Sequence, residues 1–342
     1  MDQLIVSYGS RWLLQVFILI LVIFAIQKFI PQDAAALLLA RQGIETSGSE
    51  RYEKLYQEAR TNLGLDGPVF YFSVQSKEAG QFHLPSFVWN GSQNQFHRWF
   101  ARLFSGKAAV SNITGQKIFP LIGNALLWTV PISAIALFIV YFVSKYLARY
   151  LKSHDNKWLE GLLFFFYSIP LIWFALLILL FFTNDYFGIK VFDVGVQYGS
   201  SGFGHYINRI LPVIICLSFT DIAYLTSVYG SSIDIENKKP YFMTALSKGL
   251  SAEDATKWHT APNALLSMIT LFVGAIPGSI AGSVVLETIF NIPGIGRLLY
   301  TSLKQGDYQV LMYIVLLIGI LTSLFYAIGD YYITRINPSA KK

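Results

Sequence analysis

Residues 118–144 read IFPLIGNALLWTVPISAIALFIVYFVS, without a single Asp, Glu, Lys or Arg. A helix needs about 20 mostly apolar residues to cross the hydrocarbon core of a bilayer, and a buried helix in a soluble domain rarely needs that length. Working outward, the same test finds Gly161–Asn184, Ile210–Ile233 (broken only by Asp221), Thr260–Leu286 and Tyr308–Gly329 downstream, and the shorter Trp12–Gln27 upstream. Together these runs predict an all-α integral membrane protein with six transmembrane helices.

Composition leads to the same class. Of 342 residues 13% are charged, about half of the roughly 25% usual in globular proteins. With 54% hydrophobic and 16% aromatic residues, the charges cannot cover a water-soluble surface, and intrinsic disorder is excluded too. The lone cysteine, Cys216, excludes a disulfide framework and a Cys-based zinc site; a small apolar residue in a helix is its expected role. The net charge of +6 is read against membrane topology, not as a nucleic-acid-binding face.

Basic residues near the span ends set orientation. With the N-terminus inside, the inner segments carry Arg11; Lys145, Arg149, Lys152 and Lys157; Lys238, Lys239, Lys248 and Lys257; and Arg335, Lys341 and Lys342. The short outer loops hold only Lys190, the border residue Arg209, Arg297 and Lys304. Both termini are therefore expected to be cytoplasmic. Residues 1–30 hold the N-terminal tail and first span, 31–117 one larger external segment, and 118–342 a five-helix core with an inner loop at 234–259. A cleaved signal peptide is the rival for the first span, but Lys28, Pro31 and Asp33 fit a cleavage region poorly, and a retained helix is expected. Within 31–117, Glu50–Asn62 has helical spacing of Tyr52, Leu55, Tyr56 and Ala59, and Val69–Val74 reads as a short strand. Gly80–Gln95 is polar, aromatic and turn-rich. The segment shows too little apolar periodicity for an independent core.

The 234–259 loop carries local signals. Tyr241–Lys248 reads as a short helix stopped by Gly249, and Ser251-Ala252-Glu253-Asp254 as a helix start. Helix, glycine turn, helix is the expectation; an ordinary solvated loop is the alternative. In the fifth span Gly274, Gly278 and Gly282 share one helix face, suited to close helix packing or to a flexible span lining a pathway, and Pro277 should bend the span or relax its hydrogen bonds. Asp221 is the one formal charge well inside a span. Such a residue faces a water-filled path or a partner, unless it lies close enough to the inner surface to stay hydrated. Glu287 and Asp330 stand at span ends, where hydration is easy.

No catalytic set is present. The sequence lacks G-x-x-x-x-G-K-[ST], H-E-x-x-H and G-x-S-x-G, and its five histidines (His83, His97, His154, His205 and His259) are scattered. Neither a catalytic residue nor a metal ligand is assigned.

Residues 241–250, YFMTALSKGL, followed by His259, Asn263-Ala264-Leu265 and VVLETIFNIPGIGRLL at 284–299, resemble the membrane subunits of ABC importers of the oligopeptide/dipeptide/nickel permease family. That family's pattern is approximately T-A-x-x-K-G-L, H-x-x-x-N-A-L and V-V-x-E-x-x-F-x-x-P-G-x-G. Thr244, Ala245, Lys248, Gly249, Leu250, His259, Asn263, Glu287, Phe290, Pro293, Gly294 and Gly296 stand in register. Leu63-Gly64-Leu65-Asp66-Gly67-Pro68, Ser111-Asn112-Ile113-Thr114-Gly115, Ser168-Ile169-Pro170 and Asn337-Pro338 add matches along nearly the whole chain, with 70–97 divergent.

The resemblance implies a non-catalytic permease subunit of the bacterial inner membrane that forms half of a translocation path for peptides or similar small solutes. It implies a second permease subunit, two separate ATPase subunits that hold ATP and Mg, and an external substrate-binding protein; this chain itself would bind no cofactor and no nucleic acid. The inner helix-turn-helix, the EAA loop, would dock on an ATPase through Tyr241, Thr244, Ala245, Lys248, Gly249, Leu250, His259 and Asn263, with Ala245 in an apolar contact. Three positions depart from the pattern: Pro240-Tyr241 replaces an acid-Tyr pair, Leu246 replaces Arg, and Val228, Tyr229 and Gly230 occupy the inner end of the fourth span where Arg is usual. A secondary transporter or channel using Asp221 as an ion or proton site, and a membrane assembly scaffold, are the rivals.

Overall fold

The structure, a computed structural model, describes residues 2–29, 34–41, 43–44, 50–63, 65–75, 86–105, 110–111, 113–154, 156–183, 188–194, 202–282 and 284–336. Two compact units emerge: residues 1–17, 120–306 and 314–342 form one, and residues 18–119 with 307–313 the other.

The first unit is built on long apolar helices. α1 (Asp2–Phe29) begins in it; α5 (Ile118–His154), α6 (Lys157–Tyr167), α7 (Leu171–Phe182) and α8 (Phe203–Asn237) follow. Next come α9 (Pro240–Ser247), α10 (Ala252–Ala255), α11 (Ala261–Gly282), α12 (Val284–Ile289), α13 (Ile295–Gln305) and α14 (Tyr308–Ile336). Among the described residues four helices are long and apolar enough to cross a membrane: α1 over Gly9–Ile26, α5, α8, and α14 over Tyr308–Tyr332. Two buried clusters hold the unit together. In one, Ile132 and Ala136 of α5 meet Ala175 and Ile178 of α7, Ile210, Val213 and Cys216 of α8, and Leu286 and Phe290. In the other, Val140 and Ala148 meet Leu225, Tyr229 and Ile233 of α8 and Ala261, Ala264 and Met268 of α11. Cys216 is buried in helix, as its role as a small apolar residue required. Elsewhere large apolar side chains point outward, among them Leu13 and Phe17 of α1, Phe138 of α5 and Trp173 of α7. That pattern suits lipid as solvent, because lipid tails exert no hydrophobic drive to bury such groups.

The third uncharged run is not one straight helix. α6 and α7 pass the length-and-hydropathy test only together, and they meet at 90°. The break falls on Ser168-Ile169-Pro170. Pro170 lacks an N–H and disfavours helical backbone at the residue before it, so α6 closes with the Ser168 N–H on the Phe164 and Phe165 carbonyls, and α7 opens with the Phe174 N–H on Pro170 O. The fifth run becomes α11 and α12. α11 continues through position 277; the surroundings of Pro277 and Gly282 lie outside the described residues.

The second unit holds α2 (Ala34–Arg41), α3 (Glu50–Leu63), α4 (Gln95–Ser105) and an antiparallel ribbon of β1 (Phe72–Gln75) with β2 (Ser86–Trp89). α3 coincides with the predicted amphipathic helix. The ribbon is a small exception to the all-α reading. A core absent from the apolar periodicity is supplied by aromatic rings: Phe96 of α4 packs on Phe24 of α1, Phe70 and Tyr71 at centroid distances of 5.1, 5.1 and 6.0 Å.

Candidate functional site

The loop after α8 folds as helix, turn, helix. Pro240 stands in the first turn of α9, where a missing N–H costs nothing and the fixed φ suits the helix. α9 ends in a left-handed turn: Gly249 has φ +88°, and the Leu250 N–H reaches back to Ala245 O at 3.3 Å. Ser251 then caps α10, its hydroxyl accepting from the Asp254 N–H (3.0 Å) and donating to Asp254 Oδ2 (2.7 Å). α10 passes through a π-helical turn, Thr256–Thr260, into α11. The second helix of the loop is thus continuous with the fifth apolar run, a feature the capping pattern alone does not reveal.

A knot of hydrogen bonds fastens this loop to the helices on either side. The Tyr241 phenol donates to Glu236 Oε2 (2.6 Å) and accepts from Asn263 Nδ2 (3.2 Å). Lys239 donates to Glu236 Oε1 (2.7 Å). Burial, and then the adjacent Glu236 carboxylate, raise the Tyr241 pKa above its ordinary value, and the hydrogen bond to Glu236 raises that of Lys239. Both therefore stay protonated at neutral pH and can donate. Tyr229, one of the departures from the family pattern, is buried in α8 and donates to the Ala261 carbonyl at 2.9 Å.

Of the residues assigned to this loop, Thr244, Lys248, Gly249, Leu250, His259 and Asn263 are exposed. Ala245 is not: it is buried within the chain and offers no contact surface as it stands. The exposed apolar groups are Met243 (60% exposed) and Trp258 (66%), with Leu250 (38%) between the helices. Sequence reasoning passed over Met243 and Trp258, although a Trp and a Met inside a polar loop were a usable signal.

A second constellation forms where α12 turns into α13. Glu287 is fully buried and accepts from Thr129 Oγ1 (2.7 Å) and the Arg297 N–H (3.0 Å). Thr129 Oγ1 in turn accepts from the Ile295 N–H (2.8 Å). The first turn of a helix leaves its N–H groups unsatisfied and favours a carboxylate; here Glu287 and Thr129 meet both needs. Water does not reach Glu287, so the expectation of an easily hydrated carboxylate is corrected: protein donors replace solvent. The glycines after Pro293 follow from this geometry. A Cβ on Gly294 would overlap the Glu287 carboxylate, and one on Gly296 would lie 2.5 Å from Val284 Cα.

The remaining candidates separate. A Cβ on Gly274 would sit 3.4 Å from Tyr326 Oη, whereas Gly278 faces open space. A Cβ on Gly329 of α14 would overlap the Val273 side chain of α11. Asp221 is half-buried on α8 with no hydrogen-bond or ion-pair partner among the described residues. It does not line the nearby cleft of about 660 Å³, whose walls include Lys152, Glu160, Tyr167, Thr226, Ser231 and Asp234.

In the other unit, Gln95 Nε2 holds the carbonyls of Leu65 (2.8 Å) and Gly67 (2.7 Å), and Arg98 donates to the Asp66 carbonyl. The Ser111 hydroxyl accepts from the N–H groups of Ile113 (3.2 Å) and Thr114 (2.9 Å) and donates to the buried Asp307, which caps α14 through the Val310 N–H. Asp307 was not singled out from sequence, though an Asp just before an apolar run is a helix-start signal. Gly64, Asn112 and Asn337-Pro338 lie outside the described residues.

Residues 143–342 match the family described as binding-protein-dependent transport system inner membrane component. The chain belongs to this family: it is an ABC importer permease and a multi-pass protein of the bacterial inner membrane. Among its relatives, the dipeptide transport system permease protein of Lactococcus lactis is 26% identical over 72% of this chain and 80% of its own. The oligopeptide transport system permease protein of Bacillus subtilis is 28% identical over 71% and 79%. A Brucella abortus relative is 28% identical over 96% of this chain and 98% of its own.

Proposed function

We propose that this chain forms one half of a translocation path for peptides or similar small solutes, and that the Pro240–Ala255 region transmits the motion of a separate ATPase to that path. The observation that carries the reading is the loop itself: a helix-turn-helix that exposes Met243, Leu250 and Trp258 and is knotted to α8 and α11 through Glu236, Tyr241 and Asn263. A connecting loop needs no such fastening; a surface pushed by a partner does. The substrate class rests on the names of the relatives. The chain carries no nucleotide-cradling loop, so ATP and Mg belong to the partner subunits, and this chain needs no cofactor of its own. Purification through a tag on this chain is expected to recover a second permease and two ATPase subunits in stoichiometric amounts. A chain that purifies alone and still supports uptake would overturn the proposal.

The same reading has six spans, with both termini inside, 31–117 outside and 118–342 as the permease core. A cysteine placed at Ser92 is expected to react with an impermeant maleimide on intact cells, and one at Ser339 only after the membrane is opened. The reverse pattern would sink this topology.

Gly249 offers a test of transmission. Its φ of +88° costs a β-branched residue about 1–3 kcal/mol. That is too little to unfold a helical bundle, yet enough to tilt α9 against α10. Gly249→Val is expected to insert at near-normal levels while uptake falls severalfold at matched expression and ATP hydrolysis continues. Wild-type uptake would remove Gly249 from the coupling route.

A further inference from the structure

The β1–β2 ribbon pairs Phe72 with Trp89 and Val74 with Phe87 directly across the strands. Side chains alternate along a strand, so Phe72, Phe87 and Trp89 share one face. Phe72, Phe87 and Trp89 are 58%, 76% and 63% exposed, whereas Ser73 and Val88 on the other face are partly covered. The ribbon therefore turns its Ser73–Val88 side to its own unit and its aromatic side outward.

We infer that this aromatic face is a lipid-contacting surface, seated at the headgroup–acyl boundary of the leaflet into which α1 emerges. The inference rests on α1 being a membrane span. The apolar stretch of α1 ends at Ile26, and Lys28 follows, a position at which a cation marks the membrane–water interface. Lys28 donates to Gln95, and Phe24 packs on Phe96. Gln95 and Phe96 in turn donate their N–H groups to the carbonyls of Pro68 and Val69 at 2.9 and 3.1 Å. Phe72 lies three residues after Val69, a reach of about 11 Å at most. Rings bridge the same gap: Phe96 to Tyr71 at 6.0 Å, Tyr71 to Trp89 at 5.7 Å. The interfacial layer is itself about 5–7 Å deep on each side. A Trp–Phe face tied this closely to a span end matches the aromatic belts of membrane proteins, where amphipathic rings favour the headgroup level.

The test uses the full-length chain in lipid nanodiscs. Cysteine is introduced at Phe87, or at Phe72 as an independent variant, and labelled with an environment-sensitive fluorophore; Cys216 is buried. Ser73→Cys reports the opposite face and Val22→Cys the α1 span. Labels at 87 and 72 are expected to be quenched by phosphatidylcholine spin-labelled high on the acyl chain at least twofold more than the label at 73, and shielded from aqueous iodide. If 22 is quenched but 87 and 72 are not, the lipid-contact inference fails while the span stands. If 22 is not quenched either, both fail. Shielding at 87 that appears only when a partner permease or the external binding protein is added would assign the face to a protein and overturn the proposal.

Discussion

Gly296→Val is expected to abolish most of the folded protein. The new Cβ would stand 2.5 Å from Val284 Cα and 2.6 Å from its N. Those are backbone atoms at the start of α12, which cannot rotate away as a side-chain tip can. Overpacking usually costs about 1–3 kcal/mol and occasionally more; a backbone contact belongs at or above the upper end. The displaced turn also holds Glu287, whose carboxylate caps α13. Moving it leaves the Arg297 N–H without its acceptor, at about 1–3 kcal/mol, and takes away the acceptor that orients the Thr129 hydroxyl under the Ile295 N–H. Gly278→Ala is the control: its Cβ meets nothing, and alanine is about 1 kcal/mol better than glycine within a helix. Folded yield in mild detergent, read by size-exclusion fluorescence, is expected to fall severalfold or more for Gly296→Val and to hold for Gly278→Ala. Equal yields would mean that the α12–α13 turn is not a structural keystone.

The second large effect is on coupling. Met243 and Trp258 are 60% and 66% exposed, so replacing both with Asp should change the stability of the chain itself by less than about 0.5 kcal/mol per site. On docking the outcome differs. A buried aromatic anchor such as Trp258 is worth about 2 kcal/mol or more, a buried Met side chain about 1.5–3 kcal/mol, and an unpaired charge in place of either adds a desolvation penalty. Two such changes amount to about 4 kcal/mol, close to a thousandfold in affinity at about 1.4 kcal/mol per tenfold. Met243→Asp with Trp258→Asp is therefore expected to insert normally, to lose the ATPase in a pull-down and to lose uptake. Lys341→Ala, far outside the loop in sequence, is expected to do neither. Retained ATPase binding by the double variant would move the docking surface elsewhere.

What was legible in the sequence was whatever a short stretch decides by itself. The uncharged run over 118–144 and the run over 210–233, broken only by Asp221, became α5 and α8, because hydropathy and length need no partner to be read. Gly249 adopted positive φ and Ser251 capped α10 for equally local reasons: a missing Cβ, and a hydroxyl within reach of the Asp254 N–H. Only tertiary structure decided the rest. Glu287 looks like a hydrated end residue until Thr129, far away in the chain, is folded against it. Ala245 looks like a contact residue until α9 is packed with Ala245 inward. Pro170 permits either a kink or a break, and the angle, 90°, is seen only in the folded chain. The fastening of Tyr241 joins Glu236 and Asn263, which belong to two different helices. Each of these depends on which donor or neighbour arrives from elsewhere in the chain, and neither residue type nor local spacing carries that information.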